Sequence, residues 1–267
     1  GLAYERFLWR IRKGRDDDAV ELLRARSTSA AALGRPEAWA GQRARLARSA
    51  MRAGDTTRAY EIAARHFLTE GARLAELEWL AGYLALGPLD DPARAAAHFS
   101  RFRTAVETPI SLGRAGYWLG RAEEARGDGA AAATAYAFGA RYQSSFYGQL
   151  AAERAGLGRD PALAGARAPG DWRRAGFADS PVLAAAALLH HAGEVRLSRV
   201  FFEHLADGLD PAGVALLGEA ALELEAYHAA VIVGKRAARA GLQVMRPYYP
   251  VTPMAGLDLA VPADLAL

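Results

Sequence analysis

The sequence contains no cysteine, which excludes disulfide bonds, thiol nucleophiles and cysteine-ligated zinc or iron–sulfur centres. Lysine is nearly absent as well, since Lys13 and Lys235 are the only two, and arginine carries almost all of the positive charge. Long apolar runs are also missing. The longest, from Val182 to Leu189, falls well short of the about 18 residues that a membrane-spanning helix needs. We therefore expect no membrane span.

The residue types that are present favour helices. Of the 267 residues, 52% are hydrophobic and 24% are charged, which is enough apolar material for a large core and an ordinary charge content for a globular protein. Alanine, leucine and arginine dominate, and these are strong helix formers, whereas β-branched residues, which favour strands, are few. The composition predicts an all-α fold.

A repeat becomes visible when small residues are aligned with the bulky residues that follow them four positions later. The pairs Ala95 with Phe99, Ala132 with Tyr136 and Ser198 with Phe202 share this spacing. The small positions are Ala59, Ala95, Ala132, Ser198 and Ala230, at intervals of 36, 37, 66 and 32 residues. The longest interval holds about two units of a stacked helix pair. We predict a right-handed superhelical α-solenoid of tetratricopeptide-like helix pairs.

Glycine and proline divide this pattern into segments. Turns are expected at Gly54-Asp55, at residues 87–92, at Gly127-Asp128 and at Gly193-Glu194. Residues 157–181 are rich in glycine and proline and predict a long irregular loop. The expected organisation is therefore helical repeats over 1–156, this loop over 157–181, further repeats of the same superhelix over 182–245, and a connector over 246–267.

Common catalytic and cofactor motifs are absent from the sequence. Gly234-Lys235 lacks the glycine that opens a phosphate-binding loop, and no zinc-protease helix motif or serine-hydrolase elbow occurs. The adjacent His190 and His191 would point about 100° apart on a helix, so they do not form a metal-binding pair. We predict no cofactor, no metal site and no catalytic residue in this chain.

Two groups of charged residues leave a functional alternative open. Glu219, Glu223 and Glu225, like Glu123 with Glu124, would supply paired carboxylates for acid–base work, although such residues are more often a solvated helix face. A second group is a stripe of arginines on one predicted helix, Arg43, Arg45, Arg48 and Arg52. Solvated surface is the favoured interpretation of this stripe, with contact to an acidic polymer as the alternative.

One segment resembles a known family. The string from Tyr142 to Glu153, which contains Ser-Phe-Tyr-Gly and Leu-Ala-Ala, resembles the superhelical region of soluble lytic murein transglycosylases. Residues 77–83 and 109–118 and the Tyr-Pro connector resemble the same family in the same order, so the resemblance covers nearly the whole chain. The residues of these motifs that we expect to serve structure or domain docking are Ser145, Phe146, Tyr147, Gly148, Tyr248, Tyr249 and Pro250.

The resemblance implies a location and partners. In that family a helical superhelix precedes a lysozyme-like domain, whose catalytic glutamate cleaves the MurNAc–GlcNAc bond and forms a 1,6-anhydro sugar. No residue of this chain matches that glutamate, and the segment 261–267 is expected to begin the helix that carries it. The resemblance therefore implies a periplasmic scaffold, predicted inactive alone, whose partners are peptidoglycan glycan strands and a lysozyme-like domain in the same polypeptide. Its arginines would pair with the carboxylates of peptidoglycan stem peptides.

Two other functions compete with this interpretation. A stand-alone tetratricopeptide-like adaptor would bind a protein or peptide in its groove, as such solenoids commonly do. A nucleic-acid binder would use the arginines, but a net charge of only +3 argues against it. We accordingly predict no nucleic-acid partner.

Overall fold

The computed structural model of the chain describes residues 1–164, 169–239, 242 and 244–253. Within these ranges the regular structure is entirely helical, and the helices pack side by side in pairs. The all-α helical-repeat fold expected from the sequence is thus confirmed. The segment 261–267, predicted above to begin a further helix, lies outside the described residues.

The chain divides into two compact units, residues 1–158 and 159–267. The helices of the first unit are α1 Leu2–Arg12, α2 Asp16–Arg26, α3 Ala30–Leu33, α4 Pro36–Arg52, α5 Thr56–Ala64, α6 Ala72–Leu86, α7 Pro92–Thr104, α8 Pro109–Ala125, α9 Gly129–Ala140 and α10 Phe146–Arg154. The helices of the second unit are α11 Pro181–His191, α12 Val195–Asp207, α13 Pro211–Glu223, α14 Tyr227–Arg239 and α15 Met245–Tyr248. Most helices that are adjacent in sequence pack against each other within their unit, for example α8 with α9 and α11 with α12.

The predicted turns join the helices of each hairpin. Gly54 and Gly127 have φ values of 81° and 80°, a left-handed conformation that costs glycine little and other residues more. The aspartate after each glycine then caps the next helix. Asp55 accepts a hydrogen bond from the backbone N–H of Arg58 and Asp128 from that of Ala131, which satisfies a free N–H of the first turn. A Gly-Asp pair therefore ends one helix and begins the next.

The repeat positions lie in the core, as the spacing predicted. Ala59, Ala95, Ala132, Ser198 and Ala230 are all at most 5% exposed. The bulky residues that follow them are buried too, namely Phe99, Tyr136 and Phe202. Small side chains at these positions let neighbouring helices approach closely, and the aromatic one turn later fills the space beside them.

The glycine- and proline-rich segment is more than a connection. It contains short 3₁₀ turns at Pro161–Ala164 and Trp172–Arg174. Phe177 is only 3% exposed and belongs to the core of the second unit, where Trp172 packs at the edge. The loop expected over 157–181 thus contributes side chains to that core, and α11 begins inside it at Pro181.

Candidate functional site

A large cavity in the first unit lies between α4, the start of α6 and the start of α8. Its volume is about 760 Å³, within the range of about 300–1,000 Å³ that small-molecule sites occupy. Two segments that join successive hairpins, residues 69–71 and 105–108, form part of its wall. Arg48, Glu76, Trp79 and Arg114 bring charge and an aromatic ring to it from the three helices.

Arg114 on α8 is the most unusual of these residues. Its guanidinium carbon lies 3.6 Å from the centre of the Trp79 ring, a close cation–π contact. Its Nε is buried without a hydrogen-bond partner, as is Nε1 of Trp79. Burial lowers the pKa of Arg114, and the positive charge of Arg48 lowers it further. Because burial and a second positive charge both disfavour the charged guanidinium, a negatively charged group beside Arg114 would stabilise it.

The carboxylate that α6 brings to the cavity is already engaged. Glu76 forms ion pairs with both Arg48 and Arg73. Burial by itself would raise the pKa of Glu76, but the hydrogen bonds from Arg73 and Arg48 outweigh it, so the net shift is downward. Glu76 therefore stays ionised within its own cluster, and in the described part of the chain Arg114 forms no ion pair with it.

Aromatic rings extend from the cavity along α6 and α8 to α10. Trp79 stacks on Tyr83 at 5.4 Å between ring centroids, and Trp118 packs edge-on to both. Trp118 also packs against Tyr147 of α10, with 6.2 Å between the ring centroids. We call these four residues, Trp79, Tyr83, Trp118 and Tyr147, the aromatic face. Such pairs hold their rings in fixed mutual orientations, and the four side chains are only partly buried or, for Tyr83, exposed.

The family-motif residues of α10 have distinct structural roles. Ser145 caps the helix by accepting a hydrogen bond from the N–H of Gly148. Phe146 is 68% exposed, whereas Tyr147 joins the aromatic face. Gly148 lies against the backbone carbonyl of Tyr142, where an added Cβ would be only 1.9 Å from the oxygen. The motif therefore fixes the start of α10 and sets the direction of Tyr147.

The Tyr-Pro motif near residue 248 lies in the second unit. Arg246 pairs with the buried Glu219 at 3.4 Å, and Pro247 is buried against α13. Tyr248 and Tyr249 pack edge-to-face at 4.5 Å, and Tyr249 is 58% exposed. Pro250 follows as irregular, partly buried chain. This motif anchors the short helix α15 by contacts within the second unit. Its expected role in docking another domain stays a prediction.

A buried polar network, missed at the sequence level, lies in the first unit beside the cavity helices. Glu78 is 3% exposed and its carboxylate accepts hydrogen bonds from His66 Nε2 at 3.1 Å, His98 Nδ1 at 2.6 Å and Arg101 Nε at 2.7 Å. Burial alone would raise the pKa of Glu78, but these three donors together lower it well below the usual range. The network links the segment before α6 to α7.

The other ring nitrogens define the tautomers of the two histidines. His66 Nδ1 accepts from the backbone N–H of Leu68, so its proton is on Nε2. His98 Nε2 faces the hydroxyl of Tyr60 at 3.0 Å, and its Nδ1–H is directed at Glu78. Arg101 Nη2 also lies 2.8 Å from that Nδ1, but a protonated nitrogen cannot accept, so the shorter bond to Glu78 prevails. Both ring nitrogens of each histidine thus have a hydrogen-bond partner, and such a network stabilises one arrangement of the helices that it joins.

The arginine stripe on α4 is only partly the solvated surface that the sequence indicated, because Arg45 and Arg52 are exposed but Arg43 is buried. Arg43 is only 1% exposed and donates hydrogen bonds to the carbonyl of Ile62 and the hydroxyl of Ser27. Burial lowers its pKa to about 10. Arg45 pairs with Asp16 and Arg48 with Glu76. Arg43, Arg45 and Arg48 therefore cross-link helices of the first unit.

Two of the three glutamates considered for acid–base work, Glu219 and Glu223, have different partners. Glu219 is buried and pairs with Arg246, and burial raises its pKa. Glu223 bonds to Trp172 and Arg173, and Glu225 occupies a turn with φ of 58°. Among the described residues no group of three or more histidine, aspartate or glutamate side chains is arranged to hold a metal ion.

The other candidate pair, Glu123 with Glu124, also has partners of its own. Glu123 pairs with Arg126, and Glu124 accepts from Tyr136 and Arg154. His191, one of the two adjacent histidines, donates a hydrogen bond from Nδ1 to the carbonyl of Ala187.

Within the described ranges, none of the helices has the length and apolar character that a bilayer crossing requires.

Comparison of the chain with models of known protein families gave no match. Comparison with curated proteins likewise gave no significant match.

Proposed function

We propose that this chain is the superhelical scaffold region of a peptidoglycan lytic transglycosylase. In this proposal it binds glycan strands in the periplasm and presents them to a lysozyme-like catalytic domain in the same polypeptide. That domain cleaves the MurNAc–GlcNAc bond and forms the 1,6-anhydro product, in the service of cell-wall turnover. The chain described here supplies binding and positioning, and no step of the bond cleavage is assigned to its residues.

The observation that carries the proposal is the aromatic face beside a cavity in which Arg114 forms no ion pair with any residue that the structure describes. Tyr83, the exposed ring of this face, offers a flat apolar surface to the C–H face of a sugar ring. Arg114 adds a cationic fork of the kind that binds carboxylates. Peptidoglycan combines sugar rings with carboxylate-bearing stem peptides, so both features suit the same polymer.

The Ser-Phe-Tyr-Gly motif is a second observation that supports the proposal. Tyr147, which joins the aromatic face, belongs to the Ser-Phe-Tyr-Gly string that resembles the transglycosylase superhelix. Ser145 and Gly148 orient it by capping α10 and by close backbone contact with Tyr142. The residues of the resemblance are therefore the ones that build the proposed binding surface.

The proposal predicts that the purified chain sediments with isolated sacculi and releases no anhydromuropeptides from them. Bound protein would be measured in the pellet over a range of salt concentrations, and the supernatant would be analysed by mass spectrometry. A double variant, Trp79→Ala with Tyr147→Ala, should leave most of the protein in the supernatant because it removes the two ends of the aromatic face. Arg103→Gln, which alters an arginine on the Phe138 ring outside the cavity, is the matched control.

Two outcomes would contradict the proposal. Wild-type protein that stays in the supernatant at every salt concentration would remove the peptidoglycan partner. Tight binding of a protein partner by the same chain would then favour the adaptor. Release of anhydromuropeptides by the chain alone would contradict its role as a non-catalytic scaffold.

A further inference from the structure

The cavity of the first unit contains a cation that the protein itself does not neutralise. Arg114 lies on the Trp79 ring, its Nε is buried without a partner, and in the described part of the chain it forms no ion pair. Arg48, a second arginine lining the same cavity, is paired with Glu76 and so leaves Arg114 as the arginine that awaits a partner. Buried polar groups in folded proteins are nearly always satisfied, so an orphaned arginine nitrogen on the wall of an open cavity calls for a partner that the described residues do not supply.

The chemistry of the missing partner follows from the geometry of a guanidinium. Arginine presents a planar fork of donors that matches the two oxygens of a carboxylate, and the pair is stronger where water is excluded. The stacked Trp79 ring occupies one face of the Arg114 guanidinium, so the ligand must approach its edge. A carboxylate fits this approach because its two oxygens accept in the plane of the fork.

The rim of the cavity carries the opposite charge. Glu70 and Glu107 line the cavity from the two segments that join successive hairpins, and both are exposed. Within the described ranges neither forms an ion pair with an arginine of the protein. A purely anionic ligand would be repelled by these carboxylates, whereas a ligand that carries both a carboxylate and an ammonium group would satisfy the interior and the rim together.

We propose that this cavity binds the stem peptide of peptidoglycan, with a free carboxylate on Arg114 and a free ammonium group between Glu70 and Glu107. This inference rests on the proposed function and goes beyond it, because it assigns recognition of the peptide to the cavity and recognition of the sugars to the aromatic face. The scaffold then selects strands whose stem peptides keep that ammonium group, which a crosslink consumes in the acceptor stem.

The test measures binding of a disaccharide-tetrapeptide muropeptide, with a free amine on its diamino acid, by isothermal titration calorimetry. Three chemical derivatives isolate each contact: the muropeptide with its carboxylates converted to methylamides, the muropeptide with its amine acetylated, and the disaccharide without peptide. The protein variants are Arg114→Gln and the rim double variant Glu70→Gln with Glu107→Gln, and Arg103→Gln is the control. Circular dichroism melts establish that each variant is folded.

We expect Arg114→Gln to weaken muropeptide binding about tenfold or more, and the control to leave it unchanged. The methylamide derivative should bind wild-type protein and Arg114→Gln equally weakly, because the same contact is lost from either side. The rim double variant and acetylation of the amine should each weaken binding. Their effects should not add when the acetylated muropeptide is tested on the rim double variant, because both changes remove the same contact. Because the derivatives are tested on wild-type protein, the inference stays testable even if a variant does not fold.

Three results would overturn the inference. One is equal affinity of wild-type protein for the muropeptide and its methylamide, and another is unchanged affinity in a folded Arg114→Gln variant. The third is absence of muropeptide binding by wild-type protein that still sediments with sacculi, which would leave the proposed function intact. Failure to sediment with sacculi, by contrast, would overturn the proposed function even if an isolated stem peptide bound to the cavity.

Discussion

Replacing Glu78 with alanine should lower the free energy of unfolding by about 2–6 kcal/mol, because two buried histidine donors lose their acceptor at about 1–3 kcal/mol each. The side chain of Arg101 is half exposed and can turn to water, so it adds little to the cost. The measurement is urea unfolding followed by circular dichroism. Glu21→Ala, which removes a mostly exposed carboxylate from α2 of the same unit, is the matched control and should change stability by less than about 1 kcal/mol.

The same carboxylate gives the stability a definite pH dependence. The folded-state pKa of Glu78 is depressed, so its contribution is complete above the unfolded-state pKa of about 4.3 and is lost as the pH falls below that value. Glu78→Gln removes this titration while keeping the shape of the side chain. We expect the variant to be less stable than wild type at pH 7 and the difference to shrink as the pH falls below about 4. An identical difference at pH 7 and pH 3 would show that the charge of Glu78 is not what stabilises the network.

Replacing Gly148 with alanine should have a comparably large effect through packing alone. The added Cβ would lie 1.9 Å from the carbonyl oxygen of Tyr142 and 2.9 Å from the backbone nitrogen of Gln143. Backbone atoms cannot rotate away, so α10 has to shift, and overpacking of this kind costs about 1–3 kcal/mol or more. We expect a lower melting temperature and faster amide exchange in α10.

Gly129→Ala is the matched control for this substitution. Gly129 begins α9, and a Cβ there would meet no atom within 4 Å. Because alanine favours helices more than glycine does, this variant should be as stable as wild type or slightly more stable. A Gly148→Ala variant that melts at the wild-type temperature would contradict the described contact between α10 and the 142–143 backbone. Since the shift would also move Tyr147, weaker sacculus binding should accompany the loss of stability.

Local and periodic features of the fold could be predicted from the sequence. Ala95 and Ala132 were recognised as core positions because a repeat imposes the same packing demand in each hairpin, and the demand leaves a regular spacing. Gly127-Asp128 was recognised as a turn because left-handed backbone and helix capping each require particular residue types. Such signals depend on neighbours a few residues away, so the linear sequence contains them.

Features that depend on distant contacts could not be predicted. Nothing in the sequence near Glu78 indicates that His66 and His98 approach it, because their meeting depends on how α6 packs against α7. Arg43 was expected on a solvated stripe because it is followed by Arg45, Arg48 and Arg52 on the same predicted helix. Its burial follows from contacts with Ser27 and with Ile62 of α5. Pairing is a tertiary property, and charge type alone does not predict it.

The candidate site shows the same division. The Ser145–Gly148 motif was singled out from the sequence, and its capping and close packing are local enough to have been anticipated. The unpaired state of Arg114 was not, because it requires knowing that Trp79 lies beneath its guanidinium and that Glu76 is occupied by other arginines. Thus the residues that orient the aromatic face could be found from the sequence, whereas the cavity beside it needed the structure.

The most direct test of the central claim, that this chain binds peptidoglycan on the aromatic face and in the adjoining cavity, is amide hydrogen exchange with and without soluble uncrosslinked peptidoglycan strands. We predict slower exchange at the cavity wall of residues 69–71 and 105–108 and in the first turns of α8 and α10, with no change in α1, α2 or α12. Unchanged exchange in those four segments under conditions where the strands are bound would contradict the account.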